Sequence, residues 1–518
     1  MANKNLFQTV AGWLLPKSDS TNEAGGSAYR FTAKHALAQY AVTGCLNSTY
    51  YASAEAQLAK VIELAGAVAP DFIAKTAVYC RTRGHMKDMP ALLCATLATL
   101  DTALLTKVFD RVIDDGKMLR NFVQIVRSGV VGRKSLGSAP KRLVRGWFEQ
   151  RNDEQVFRAS VGQSPSLADV IKMVHPRPAN KTREALYGWL LGRPHQAEAL
   201  PPLVREFEAF KRGDVKHAPD VPFQMLTALE LSAQAWSAIA SQAPWQTTRM
   251  NLNTFARHGV FGDWTLVREI ADRLRDPAKV RRAKCFPYQL LMAYQSTGTD
   301  VPPAVREALQ DAMEVSIENV PSLTGQVYVC PDVSGSMQSP ITGHRTGATT
   351  ATRCIDVAAL VAAAVVRKNA DAEVVAFSDH VVPCQLNPRD SVMTNARKLA
   401  SLPSGGTDCS APLRHLNAQR AQGDLVVMVS DNMSWVNSHG GGRSTATMQE
   451  WAQFQARNPR ARLVCLDLQP NASTQAAERQ DILNIGGFSD AVFQIIASFA
   501  AGELHPDHWV GLIEAIEL

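Results

Sequence analysis

A short segment rich in carboxyl and hydroxyl groups, Asp332–Met337 (DVSGSM), follows the apolar run Gln326–Cys330. The apolar run is typical of a buried β-strand, so the segment is predicted to form the loop at the strand's carboxyl end. Asp332, Ser334 and Ser336 alternate along this loop and can direct three oxygens to one point. Such donors suit Mg²⁺ or Mn²⁺. Because the D-x-S-x-S pattern is also common in solvated turns, the other ligands must be sought elsewhere in the chain.

Residues 321–518 alternate between strand-like and helical patterns. Short β-branched runs are predicted to be strands at Val327–Cys330, Glu373–Phe377, Leu425–Val429 and Arg462–Leu468. Helical patterns lie between and after them, at Ala351–Lys368, Val392–Ser401, Ala411–Gln422 and Thr447–Arg457. This alternation predicts a doubly wound α/β domain, in which a parallel sheet carries helices on both faces.

Two further segments of this domain supply oxygen donors. Thr407 lies in the Gly-rich loop Gly405–Asp408, and Asp431 directly follows the strand Leu425–Val429. Ligands in such folds bind beyond the carboxyl ends of the strands, so the five donors are predicted to converge there. The predicted metal ligands are Asp332, Ser334, Ser336, Thr407 and Asp431. Their order resembles the metal-ion-dependent adhesion site of von Willebrand factor A-type (vWA) domains.

This donor set predicts how the metal would behave. The three hydroxyls are the natural direct ligands, while the two carboxylates act directly or through water. Few direct carboxylates leave the metal with positive charge and an open position, which suits an external carboxylate or phosphate. No His lies in these motifs and no acids for a second metal are present, so hydrolysis is not indicated.

The chain before residue 321 has a different character. From about Phe31 to Val320 helical patterns follow one another with short Gly, Pro or Asn breaks, as in Ala54–Gly66 and Pro90–Asp110. Many consecutive helices with short links predict an α-solenoid of stacked helical pairs. The polar segment Ser18–Ser27 is predicted to be flexible. The predicted domains are therefore a lead-in at 1–27, a helical domain at 28–320 and the α/β domain at 321–518.

The positive charge is concentrated in the helical part. Residues 321–518 contain 14 Lys+Arg and 18 Asp+Glu, which leaves 40 basic and 30 acidic residues in 1–320 out of totals of 54 and 48. Residues 117–151 contain nine Lys+Arg and a single acid, Glu149. A solvated helix face is the alternative, but so few acids favour a polyanion partner such as nucleic acid. The candidate residues for binding nucleic acid are Lys141, Arg142, Arg145, Arg133, Lys134 and His175.

Composition excludes several other classes. No run of 18 apolar residues occurs, and no signal-peptide core is evident at the start, so a cytoplasmic location is predicted. The nine cysteines form no C-x-x-C pair, which argues against a zinc site or a disulfide framework. Trp147 and Phe148 beside the basic helix could stack on bases, but core packing is the predicted role.

Taken together, these motifs resemble the bacterial Ro autoantigen (TROVE-domain) family. The resemblance runs through Asn47–Tyr51, Ser128–Ser138, Phe286–Leu291, Val375–Cys384 and the metal-site segments. It implies HEAT-like helical repeats closed into a monomeric ring by the vWA domain. Family members bind Y RNA and single-stranded 3′ ends of misfolded or damaged RNAs, and act in RNA quality control and stress survival. Bacterial members are expected to act with a 3′-to-5′ exoribonuclease such as polynucleotide phosphorylase.

The resemblance also assigns roles to residues. Lys141, Arg142 and His175 correspond to residues implicated in RNA binding, while Arg133 and Lys134 lie in a loop that differs among members. All five metal positions are matched. The expected function is a non-catalytic RNA-binding ring. The alternative is a metal-dependent protein-adhesion scaffold with an incidental basic patch, and a nuclease is disfavoured because no cluster of acids is present.

Overall fold

The computed structural model describes residues 15–43, 46–215, 217–344, 352–436, 444–488, 490–504 and 508–518. The chain forms two compact units. The first comprises residues 1–68, 284–296 and 313–515, and the second comprises residues 69–283, 297–312 and 516–518. No helix among the described residues is long and apolar enough to cross a membrane.

Helices account for most of the regular structure. The described helices are α1 Ala33–Thr43, α2 Ala54–Gly66, α3 Pro70–Thr82, α4 Asp88–Leu100, α5 Thr102–Val112, α6 Gly116–Ser128, α7 Ser138–Glu149, α8 Asp153–Arg158, α9 Leu167–Val174, α10 Lys181–Leu190, α11 Pro202–Arg212, α12 Phe223–Thr227, α13 Ala233–Gln242, α14 Trp245–Met250, α15 Leu252–Arg257, α16 Trp264–Arg275, α17 Pro277–Ala283, α18 Pro287–Ser296, α19 Pro303–Ser316, α20 Cys354–Lys368, α21 Val392–Ala400, α22 Ala411–Ala418, α23 Ala446–Arg457, α24 Asp490–Ala501 and α25 His508–Glu514.

The second unit is a succession of helices, each packed on its neighbours in sequence. Helix α4 packs against α3, α5 and α6, and α9 packs against α6, α7 and α10. Local sequence sets the helix ends: the Asp115 side chain accepts the Met118 N–H at the start of α6, and Gly129 ends that helix with φ +93°. The apolar faces meet in a core where Phe109 and Phe122 pack edge to face at 5.3 Å. This unit confirms the predicted helix-rich architecture.

The first unit contains a five-stranded parallel sheet. The strands are β3 Val327–Pro331, β4 Glu373–Val374, β5 Leu425–Ser430, β6 Arg462–Asp467 and β8 Ile482–Gly486, in the order β4-β3-β5-β6-β8. Every second residue of the central strands enters a core with Trp451 and Phe454 from α23. Helix α20 packs against β3, β5 and α21. The doubly wound α/β domain is therefore confirmed.

The beginning of the chain belongs to this sheet-containing unit. Strand β1 (Ser20–Thr21) pairs antiparallel with β2 (Ser27–Arg30), and β2 pairs with β7 (Ser473–Thr474). Helix α1 packs on β8. The Asn22 side-chain amide donates to the Ser434 carbonyl at 2.6 Å.

The compact units therefore differ from the predicted boundaries at 27/28 and 320/321. Ser20, Thr21 and Ser27 are held by backbone pairing where a flexible lead-in was expected, and residues 28–68 group with the sheet. The bonds from Asn22 to Ser434 and from Gln39 to Asp467 each join residues more than 400 positions apart, so no local pattern reveals them. Residues 1–14 of the lead-in lie outside the described residues.

Some predicted element bounds also differ. The run predicted as one helix at Pro90–Asp110 is divided between α4, which ends at Leu100, and α5, which begins at Thr102. The strand predicted at Glu373–Phe377 ends at Val374, although Val375 and Phe377 still donate backbone bonds to Val329 and Pro331. Apolar residues continue past the end of each element, so the sequence pattern alone does not show where the helix or the strand stops.

Gly26 provides a test of the attachment of the β1–β2 hairpin. A Cβ at this position would lie 2.0 Å from the Ser434 carbonyl oxygen, so Gly26→Ala must displace the hairpin or the loop. We expect a loss of about 1–3 kcal/mol of unfolding free energy, the usual range for overpacking. Gly66→Ala, at the end of α2 with open space around its Cβ, is the control and should leave the denaturation midpoint unchanged. Equal midpoints for the two variants would contradict the attachment.

Candidate functional site

The candidate metal site lies where two neighbouring strands end. Strands β3 and β5 are parallel, with Pro331 opposite Val429, so Asp332 and Asp431 follow adjacent strand ends. The Asp332 N–H donates to the Val429 carbonyl at 2.9 Å, which fixes the start of the first loop. Both aspartates are buried.

The hydroxyls come from two loops joined by a backbone bond. The Ser334 N–H donates to Asp332 Oδ1 at 2.8 Å, and the Oγ atoms of Ser334 and Ser336 are 3.3 Å apart. The Gly335 N–H donates to the Gly405 carbonyl at 3.0 Å, which ties this loop to the Gly-rich loop containing Thr407. Ser334, Ser336 and Thr407 are all buried.

A hydrogen bond from Ser336 to the Asp431 carboxylate brings the two strand ends together. Asp332, Ser334, Ser336 and Asp431 thus form one connected group, and the backbone bond to Gly405 holds the Thr407 loop beside it.

This group of residues holds more buried negative charge than nearby positive charge compensates. Burial, together with the neighbouring Asp431 carboxylate, raises the pKa of Asp332 to about 7. Burial also raises the pKa of Asp431. Within the described ranges, no Lys, Arg or His forms an ion pair with either carboxylate. Two carboxylates and three hydroxyls offer a hard divalent cation both charge compensation and oxygen ligands.

The hydroxyls also explain why a search limited to acids, His and Cys would overlook the site. The described part of the chain holds no group of three or more His, Cys, Asp or Glu able to bind a metal. With only two carboxylates, the candidate site depends on its three hydroxyls for the remaining ligands.

The candidate RNA-binding residues lie in the helical unit, on and around α7. Arg142 is exposed and Lys141 is partly buried. The Arg145 guanidinium donates to the Val174 carbonyl at the end of α9. His175, the next residue, is exposed and caps α9 in a left-handed conformation with φ +50°. Arg145 therefore joins the helix carrying Lys141 and Arg142 to the turn carrying His175.

Arg133 and Lys134 lie in the loop before α7. The Arg133 guanidinium donates to the Ala98 carbonyl near the end of α4, while Lys134 is exposed. Arg133 is thus partly engaged in holding the loop. No ion pair in the described part of the chain involves any of the six candidate residues, so their charge is available to an external anion.

The aromatic residues of α7 are not available to a ligand. Trp147 and Phe148 are buried, and the Trp147 indole N–H donates to the Ile113 carbonyl at 2.9 Å. Their predicted role in the core is therefore confirmed, and the interface relies on charge.

Comparison with known proteins finds one kind of similarity along nearly the whole chain. Residues 326–500 match the family model described as the Ro60 vWA domain. The chain is 25% identical over 549 residues to the RNA-binding protein RO60 of Deinococcus radiodurans, covering 97% of this chain and 100% of the relative. The chain is therefore similar to a Ro protein along nearly its whole length. The crystal structure of the Deinococcus radiodurans RO (RSR) protein has the same fold, with a TM-score of 0.61 at 21% identity over 91% of this chain and 100% of that one.

Two further residues contact the candidate metal site and were not identified from the sequence motif. Ser430, the last residue of β5, donates its hydroxyl to Asp332 Oδ2 at 2.5 Å. A hydroxyl directly before Asp431 at a strand end was a usable signal. The Tyr51 hydroxyl, from the beginning of the chain, is hydrogen-bonded to Ser336. No local signal connects residues so far apart in sequence.

A third carboxylate at the same sheet edge has a different role. Asp467, at the end of β6, accepts the Gln39 amide at 2.8 Å and the Asn432 amide at 3.2 Å. Burial raises its pKa well above the ordinary value. Asn471 donates to the Asp431 carbonyl at 2.9 Å. Because it accepts the side-chain amide of Asn432, the residue after Asp431, Asp467 anchors the loop that carries Asp431.

Asp431→Asn tests the electrostatic imbalance. In metal-free protein this change removes one of two buried, repelling carboxylates, so the unfolding temperature should rise. Saturating Mg²⁺, which stabilises a protein by about 2.7 kcal/mol at 100 times its Kd, should no longer stabilise the variant. The exposed Asp371→Asn should behave like the unchanged protein in both conditions. A variant still stabilised by Mg²⁺ would place any metal elsewhere.

The pKa of Asp332 predicts a pH dependence. Its folded value of about 7 exceeds the ordinary 3.8, so ionisation opposes folding and metal-free stability should fall as pH rises through this interval. A divalent cation binds the ionised form, so stabilisation by Mg²⁺ should grow over the same interval. Thermal unfolding with and without Mg²⁺ at pH 5 and pH 8 measures both effects. Equal stabilisation at the two pH values would contradict the expectation.

Proposed function

We propose that this protein is a non-catalytic RNA-binding protein of the Ro type. The observation that carries the proposal is the group of basic side chains around α7, which has no acidic partner among the described residues. Lys141, Arg142, Arg145 and His175 form its centre. The relative from Deinococcus radiodurans is named an RNA-binding protein, which supports the same conclusion. Phosphate contacts then dominate affinity.

The proposed ligands are Y RNA and the single-stranded 3′ ends of misfolded or damaged RNAs. Charge-based contacts, with Trp147 and Phe148 buried, favour recognition of backbone and shape over stacked bases. In this proposal the protein acts in RNA quality control and the stress response in the cytoplasm. The helical domain of residues 28–320 and the vWA domain close a monomeric ring around the RNA end.

The vWA domain is proposed to hold Mg²⁺ or Mn²⁺. Asp332, Ser334, Ser336, Thr407 and Asp431 would bind it, and the metal would supply an open position for an external carboxylate or phosphate. An acidic side chain of a partner protein fits that position. A 3′-to-5′ exoribonuclease such as polynucleotide phosphorylase is the proposed partner, because a non-catalytic RNA-binding protein needs an enzyme to degrade what it selects.

The second candidate function is a metal-dependent protein-adhesion scaffold. The buried pair Asp332 and Asp431 favours it, because a metal there would grip a partner directly. Purification of the protein from its own cells distinguishes the two candidate functions. Small RNA that stays bound in EDTA supports the first function, and an RNA-free partner that dissociates on adding EDTA supports the second.

Reversal of charge at Lys141 and Arg142 tests RNA binding. Lys141→Glu with Arg142→Glu should weaken RNA binding by tenfold or more at low salt, about the value of one or two charged hydrogen bonds. The slope of log affinity against log salt should fall by about one for each phosphate that the variant no longer neutralises. Gel shift across a salt series measures both.

The exposed Lys107→Glu on α5 is the matched control and should bind RNA as the unchanged protein does. Unchanged binding by the double variant would contradict the proposed surface. Incubation of labelled RNA with the pure protein and Mg²⁺ should leave the RNA intact, and progressive shortening would contradict a non-catalytic role.

A further inference from the structure

A separate basic cavity lies at the other end of α7. It has a volume of about 470 Å³ and is lined by the start of α6, the end of α7 and the chain around Ala159. Ten residues separate Lys141 from Arg151, so the cavity lies on the order of 15 Å along the helix from the proposed RNA surface. Its size is that of a small-molecule site.

The cavity has an excess of positive charge. Five basic side chains line it, against the two acids Asp114 and Asp115, and one of the five, Arg158, is paired with Glu154 and Asp220. Both acids already face Arg81, whose guanidinium lies 2.6 Å from Asp114 and 3.4 Å from Asp115. Lys117, Arg120 and Arg151 form no ion pair in the part of the chain that the structure describes.

Arg120 is the most unusual of these residues. It is only 8% exposed, yet its guanidinium donates to a neutral group, the Ala159 carbonyl, at 3.0 Å. The guanidinium also lies close to Gly162, since a Cβ added to this glycine would be 2.4 Å from it. Burial lowers the pKa of Arg120, and nearby Asp115 offsets this in part. A buried cation with so little compensation is stabilised by an anion.

Arg151 has the same kind of environment. It lies 4.0 Å from the ring centre of Trp147 and donates to the carbonyls of Trp147 and Asp114 at 3.0 Å each. Burial lowers its pKa, while Asp110, Asp114 and Asp115 raise it. Neutral carbonyls and an aromatic face hold the guanidinium in position, so it is preorganised to receive an anion.

We propose that this cavity binds the phosphate group of a ribonucleotide, either free or at the end of an RNA chain. Two guanidiniums and the Lys117 ammonium match a phosphate, which accepts bidentate bonds from Arg. Gln155 and Gln224 line the same cavity and offer amides to a sugar or base. Trp147 is 1% exposed, so recognition centres on the phosphate and not on base stacking. This site is additional to the proposed RNA surface.

Binding of 5′-AMP and adenosine to the full-length protein tests the proposal. Calorimetry at low salt should detect AMP and show adenosine at least about tenfold weaker, the value of one charged hydrogen bond. Lys117→Ala and Arg151→Gln should each weaken AMP by about tenfold. Lys107→Ala, an exposed lysine outside the cavity, should leave AMP affinity unchanged. Lys117 is exposed, so its variant remains informative if Arg151→Gln fails to fold.

Absence of AMP binding, equal binding of AMP and adenosine, or full affinity in Lys117→Ala would each overturn the proposal. Oligonucleotides ending in phosphate or hydroxyl distinguish the source of the ligand. A preference for the phosphate end that Lys117→Ala removes identifies an RNA end, and AMP binding without that preference identifies a free nucleotide. The Lys141→Glu, Arg142→Glu variant should keep its AMP affinity, so this site and the RNA surface can fail separately.

Discussion

The parallel pairing of β3 with β5 is the constraint on which the vWA domain depends. Their register places Asp332 and Asp431 side by side at the buried edge of the sheet. Two carboxylates at such a position would cost several kcal/mol if both were ionised and uncompensated. The surrounding hydroxyls of Ser334, Ser336 and Ser430 reduce this cost by hydrogen bonding but bring no positive charge. The fold therefore builds a site whose buried negative charge a divalent cation would compensate.

The loops of this site are held in place by residues remote in sequence. Gln39 on α1 bonds Asp467, Asp467 accepts from Asn432, and Asn432 adjoins Asp431. Asn22 bonds the Ser434 carbonyl of the same loop. The beginning of the chain thus supports the loop that carries a candidate ligand. Such support keeps the oxygens in place and reduces the ordering that metal binding would otherwise require.

The sequence predicted those parts of the fold that depend on local pattern. Strand ends and the alternation of strands with helices could be predicted from the sequence, so Asp332 and Asp431 could be placed at one edge of one sheet. The hairpin at Ser20–Arg30 could not be predicted, because it pairs with Ser473–Thr474, which lies far away in the sequence. The contribution of Ser430 could have been predicted from its position next to Asp431. The hydrogen bond between Tyr51 and Ser336 could not. The metal itself and the RNA contacts stay predictions.

The two basic sites near the two ends of α7 differ in how exposed their charged groups are. Arg142 is exposed, so bound phosphate remains in contact with solvent and salt screens the attraction. Arg120 is buried and already stripped of most of its water, so an anion that reaches it meets less screening and gives up less freedom in the protein. Affinity at the exposed surface should therefore fall steeply with ionic strength, whereas the cavity should retain a larger share of its affinity. That contrast follows from burial alone and does not depend on which RNA the surface recognises.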